Sequence, residues 1–174
     1  MKIQQLLESQ IDLTPWQTSS PERCRIILAD KSATQIVGIK RQKSGRAPYV
    51  VFPGGGIEKT DKTPLATIER ELREELGLDT SEYTLSNLGI AVNDEFGHQF
   101  YFLAEIHDKT VSFKMDGPES NRDITVSGTY APQWYQLGNI DQVNFVPEDI
   151  KNLLHRGWNN AQSSTVRHYQ KDLY

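Results

Sequence analysis

The sequence predicts an α/β fold: a mixed β-sheet covered by helices on both faces. Three observations lead there. Apolar runs with a period of two recur on both sides of one amphipathic helix near residues 64–76. That helix carries its own start and stop signals. A second helix opens at Pro147-Glu148-Asp149, late in the chain. Strands flanking a central helix, with another helix near the end, form a layered sheet rather than a bundle or a sandwich of sheets.

Taken in order, residues 1–20 read as an N-terminal extension. They hold a short amphipathic turn around Ile3–Leu7, then Thr14-Pro15-Trp16 and a Thr/Ser/Ser/Pro breaker cluster. The compact domain is expected over 21–156. Cys24–Ala29 and Gln35–Ile39 are two strands joined by the polar turn Asp30-Lys31-Ser32. A basic loop leads to a short buried strand, Tyr49–Phe52, and then to the helix. Tyr83–Val92 and His98–Ile106 follow as strands. In the second, Phe100, Phe102, Ala104 and Ile106 share one face. Residues 109–128 are polar and irregular, read as a hairpin with a loop. Ala131–Leu137 is another strand, and the Pro147 helix closes at His155-Arg156-Gly157. Residues 157–174 are left as a C-terminal tail.

Composition narrows the function. A chain of 174 residues with 37% hydrophobic and 24% charged residues fits one domain with a real core. Its net charge of −4 argues against gripping a nucleic-acid polymer, which needs a basic surface. The single cysteine, Cys24, rules out an internal disulfide and reads as a small core residue. No apolar stretch approaches ~18 residues, so no membrane span is expected. The start MKIQQLLESQ is too polar for a signal peptide, and the cytoplasm is the expected compartment. No feature assigns an oligomeric state.

The chemistry concentrates in residues 54–78, GGGIEKTDKTPLATIERELREELGL. At ~3.6 residues per turn, Glu71, Glu74 and Glu75 project from one face. Leu65, Ile68, Leu72 and Leu76 form the opposite stripe, suited to packing on a sheet. Taken alone, such a run is a solvated face with Arg70 and Arg73 in intrahelical pairs. Three adjacent carboxylates repel one another, however, and a hard divalent cation with a taste for oxygen ligands relieves that repulsion. Thr63-Pro64 supplies the N-cap and first helical position, and Gly77 the C′ residue. The glycines before the helix allow close backbone approach. A phosphate-binding P-loop is excluded, because Asp61 rather than glycine precedes Lys62-Thr63.

The string Arg70-Glu71-Leu72-Arg73-Glu74-Glu75-Leu76-Gly77-Leu78, preceded closely by Phe52-Pro53-Gly54-Gly55-Gly56, resembles the Nudix hydrolase box. That box reads G-x5-E-x7-R-E-U-x-E-E-x-G-U, and its second half matches at every fixed position. In the first half, counting from Gly55 puts the acid at Asp61 with one residue added before Arg70. Counting from Gly56 puts Lys62 at the acid position. Asp61 is preferred, since a lysine there would face the cation. The likeness spans roughly residues 22–156 and implies a Nudix-type α/β/α sandwich with a mixed sheet.

The resemblance also implies an activity. Family members cleave a nucleoside diphosphate linked to another group, with Mg²⁺ (or Mn²⁺) bridging phosphate oxygens as water attacks. The small-molecule nucleotide could be a nucleoside triphosphate, oxidised or not, or a nucleotide sugar. By this likeness Glu71 and Glu75 are metal ligands, and Gly55 offers a main-chain carbonyl. Glu74 is a ligand or the base that activates water; the sequence leaves both open. Arg70 orients the carboxylates by pairing with a neighbour such as Asp61. A further acid from outside the box is sought at Glu119, ahead of Asp94-Glu95. Lys40, Arg41, Lys43 and Arg46 form a basic cluster that either holds substrate phosphates, chiefly through Arg41 and Arg46, or merely solubilises a turn. His98 reads as a strand-start residue, and Trp134 and Tyr135 as core aromatics. The histidines lack zinc-ligand spacing. The irregular first half of the box keeps a second reading open: a Nudix-fold nucleotide-binding or regulatory module that hydrolyses little.

Overall fold

Side chains alternating along two central strands divide the interior into two apolar layers, one on each face of a single sheet. The computed structural model describes residues 2–95, 97–115, 117 and 128–171, with 164–171 described by backbone alone. The first half contains α1 (Ile3–Glu8), β1 (Thr14–Pro15), β2 (Arg23–Ala29), β3 (Gln35–Gln42), β4 (Tyr49–Val51), β5 (Gly54–Gly56) and α2 (Pro64–Leu76). The second contains β6 (Tyr83–Asp94), β7 (Gly97–Ile106), β8 (Thr129–Gln136), β9 (Phe145–Val146) and α3 (Glu148–Lys171). The strands order as β1-β6-β7-β2-β3-β4-β9, with β5 also paired to β2 and β8 to β3. The sheet is mixed: β2–β7 and β4–β9 are parallel, the other pairs antiparallel.

One layer packs α2 onto the sheet. Cys24, Ile26 and Leu28 of β2 join Phe100, Phe102 and Ala104 of β7 beneath Ile68, Leu72 and Leu76. Each of these isoleucine, leucine and phenylalanine side chains is worth about 1.5–3 kcal/mol when buried. Burial also pushes the Cys24 thiol up to about 12, so it stays a neutral core group. The opposite layer takes Ile27 and Ala29, Tyr101 and Leu103, and packs them against α1 and α3 through Leu6, Leu7, Leu153 and Leu154. This is the α/β/α arrangement that the sequence predicted.

Helix α2 begins and ends where its side chains dictate. The Thr63 hydroxyl accepts the Ala66 N–H at 3.1 Å, and Pro64 follows at the first helical position. At the far end Gly77 adopts φ +69°, its N–H reaching the Arg73 carbonyl at 3.0 Å while Leu78 N–H reaches Leu72 at 3.2 Å. Leu78 is buried beneath that turn.

Two sequence expectations differ from the structure. Residues 1–20 were expected as an extension, yet Ile3, Leu6 and Leu7 are buried in the core and β1 adds a strand beside β6. Gly157 was expected to end the last helix, yet α3 runs on to Lys171. One contact joins the two. A Cβ at Gly157 would overlap Leu6 and stand 2.7 Å from its carbonyl oxygen, so the glycine lets α1 lie directly on α3. The hairpin read in 109–128 falls mostly outside the described residues, as does Glu119.

Candidate active site

The glycine strand β5 is held from both sides. It pairs with the start of β2, Cys24 opposite Gly55 and Arg25 opposite Gly54. From α2, the Glu75 carboxylate, only 9% exposed, accepts the Gly54 N–H at 2.7 Å. From β2, the Arg25 guanidinium donates to the Gly54 carbonyl and, at 3.4 Å, to that of Phe52. Glu71 lies so close to Gly55 that a Cβ there would overlap its Oε1. Glycine is required here because side chains already occupy the volume that any other residue would need.

Arg70 is the hub of the acidic face. Its Nε donates to Asp61 Oδ1 at 3.2 Å and its Nη2 to Asp61 Oδ2 at 2.9 Å, a two-pronged pairing. Its Nη1 reaches Glu71 at 2.9 Å and Glu74 at 3.3 Å, and Nη2 also donates to the Gly56 carbonyl at 3.1 Å. Asp61 in turn accepts from the Glu58 N–H and the Thr67 hydroxyl, and its side chain is 5% exposed. The added loop residue therefore leaves an acid facing Arg70. The bond from Arg70 holds the Asp61 carboxyl below the usual carboxylate range, and Asp61 reciprocally raises Arg70.

This pair carries a pH signature. A group whose folded pKa is depressed stabilises the protein above its unfolded pKa, and that contribution disappears as pH falls through the folded value. Wild type should therefore lose urea resistance below pH about 4 more steeply than Asp61→Asn. Urea midpoints at pH 7 and pH 3 test this. Parallel losses in the two proteins would mean that the pair adds no stability.

The resemblance to the Nudix box implies a divalent ion, and the donor chemistry around β5 suits one. The donors around β5 are carboxylates and carbonyls, the hard oxygen set that Mg²⁺ takes, and the missing Cβ of Gly55 leaves Glu71 against the backbone. Among the described residues no three acidic, histidine or cysteine side chains stand assembled as a metal cage. Arg70 instead supplies the countercharge to Glu71 and Glu74.

Beyond the glycine strand opens a cleft of about 570 Å³, lined among others by Arg23, Arg25, Arg41, Arg46, Tyr49 and Tyr101. Arg41 and Arg46 were read from the sequence, whereas Lys40 and Lys43 of the same cluster are not among its lining residues. Register sets Arg41 between two tyrosines, opposite Tyr49 on β4 and Tyr130 on β8. Its guanidinium lies 4.3 Å from the Tyr130 ring centre and 5.8 Å from that of Tyr49, and it donates to the Tyr130 hydroxyl. Arg23 and Arg25 were missed. Their signal was present: two cations alternating with apolar residues in a strand put both on one face. Asp94 also lines the cleft and accepts the Gln99 amide at 2.6 Å. His98 sits outside it, its ring between Asn93 and Ser19.

Fold and site together define an α/β/α protein whose acidic helix closes on a glycine strand. A family model described as the NUDIX domain matches residues 21–158. The chain thus belongs to the Nudix family and is a hydrolase acting on pyrophosphate bonds. Solved structures share the fold at low identity. A NUDIX-family hydrolase from Clostridium perfringens aligns with a TM-score of 0.55 and 15% identity, over 81% of this chain and 97% of its own. A C. elegans Ap4A hydrolase aligns at 0.54 and 15%, over 82% and 98%. A MutT from work on Aliivibrio salmonicida and Vibrio cholerae aligns at 0.53 and 14%, over 78% and 97%. Among the described residues no helix is long and apolar enough to cross a membrane.

Proposed function

We propose that the protein is a Mg²⁺-dependent pyrophosphohydrolase of a small nucleotide, cleaving a nucleoside diphosphate from the group attached to it, in the cytoplasm. The observation that carries this reading is the convergence of Glu71 and Glu75 on Gly54 and Gly55 from one helix face. A buried carboxylate is costly unless a cation or a set of donors answers it.

Glu71, Glu74, Glu75 and the Gly55 carbonyl would hold the ion. A magnesium ion held there would supply charge neutralisation to phosphate oxygens and lower the pKa of a bound water. Glu74, the most exposed of the three at 29% for its side chain, is the one free to face solvent and take a proton. Arg70 orients Glu71 and Glu74 and is itself braced by Asp61. It acts as a positioning residue rather than a substrate contact.

The test is direct. Purified protein incubated with nucleoside triphosphates, oxidised triphosphates and nucleotide sugars plus Mg²⁺ should release phosphate or pyrophosphate from at least one of them. EDTA should abolish release. Nucleotide binding with no turnover on any member would instead favour a binding or regulatory module.

A further inference from the structure

The chain carries a net charge of −4, yet its largest concentration of arginines faces one cleft. Four guanidiniums line it against a single carboxylate, Asp94, which is engaged with Gln99. Among the described residues none of the four has a carboxylate partner. Arg41 is flanked by tyrosine rings instead, and its Nε is buried without a hydrogen-bond partner among the described residues. A guanidinium that lacks a carboxylate partner keeps its planar fork of donors for another anion, and a phosphate matches that fork.

A plain nucleoside diphosphate would not use this wall. Its phosphates belong beside the helix carboxylates at β5, and only uncharged sugar and base would remain for the cleft. Arg25 ties the two regions together, since it lines the cleft and also donates to the Gly54 carbonyl. Resting on the hydrolase reading above, we infer that the cleft binds a second phosphate, separate from the diphosphate being cleaved. The substrate class is then a nucleotide bearing a further phosphate, either as an ester on its sugar or along a longer polyphosphate chain. Tyr49, half-buried at the cleft, provides a ring face for the attached aromatic group.

Calorimetry with Mg²⁺ present tests this without turnover, using three probes that hold no cleavable anhydride: adenosine 5′-monophosphate, adenosine 3′,5′-bisphosphate and the methylene-bridged analogue of tripolyphosphate. The bisphosphate or the tripolyphosphate analogue should bind at least ~10-fold more tightly than the monophosphate. Preference for the first places the phosphate on the sugar, and for the second on the chain. Arg41→Gln and Arg46→Gln should each erase most of that preference. Arg46 is exposed, so its substitution spares the fold even where loss of Arg41 does not. Equal affinity for all three probes, or a preference unchanged in both variants, overturns the inference. Hydrolysis with Mg²⁺ alongside absent preference would leave the activity standing and remove only the second phosphate site.

Discussion

Glu75→Gln and Glu74→Gln should each lower turnover at least ~10²-fold while the fold survives. Glutamine keeps the size of the side chain and one acceptor oxygen. At position 75 it can still take the Gly54 N–H that the carboxylate now accepts at 2.7 Å, so β5 stays in place. What disappears is the negative charge on an oxygen facing the glycine strand. Steady-state rates on whichever nucleotide is cleaved, beside thermal midpoints for both variants, separate chemistry from folding. Unchanged turnover would defeat the roles given to these carboxylates.

Gly54→Ala should cost about 3–5 kcal/mol of stability. Gly54 has φ +124°, a backbone region that L side chains rarely enter. Its new Cβ would overlap the Cys24 carbonyl oxygen and stand 2.9 Å from the Arg25 Cα, and both are main-chain atoms of a central strand. Neither can swing aside as a flexible side chain would. Gly56→Ala is the matched control, since nothing lies within 4 Å of the Cβ it would add. Urea denaturation of the two variants should give a large loss for the first and a small one, within about 0.5 kcal/mol, for the second. Equal stability would mean that β5 is not held against β2 as described.

How much of this was legible in residues alone depends on the range of the forces involved. The acidic helix was read at its true bounds because Thr63, Pro64 and Gly77 act within one turn of themselves. The alternation at Phe100, Phe102 and Ala104 was equally local, and all three lie in the layer under α2. Gly157 misled for the converse reason. A glycine after a run of helix formers signals a stop, but Leu6, some 150 residues earlier, is what requires its missing Cβ. The amphipathic turn at Ile3–Leu7 carried a correct period with nothing nearby to say where its apolar face goes.

The sequence by itself determined the class of the protein and the face of the helix that bears its acids, since period, caps and spacing are properties of neighbours along the chain. The tertiary structure decided what those acids meet. Parallel pairing of β2 with β7, and antiparallel pairing of β2's start with β5, set Arg25 and Glu75 on the two sides of one glycine. Strand register likewise put Arg41 between Tyr49 and Tyr130. Such contacts join positions 20 to 90 residues apart, and their geometry follows from sheet order, which no local pattern encodes.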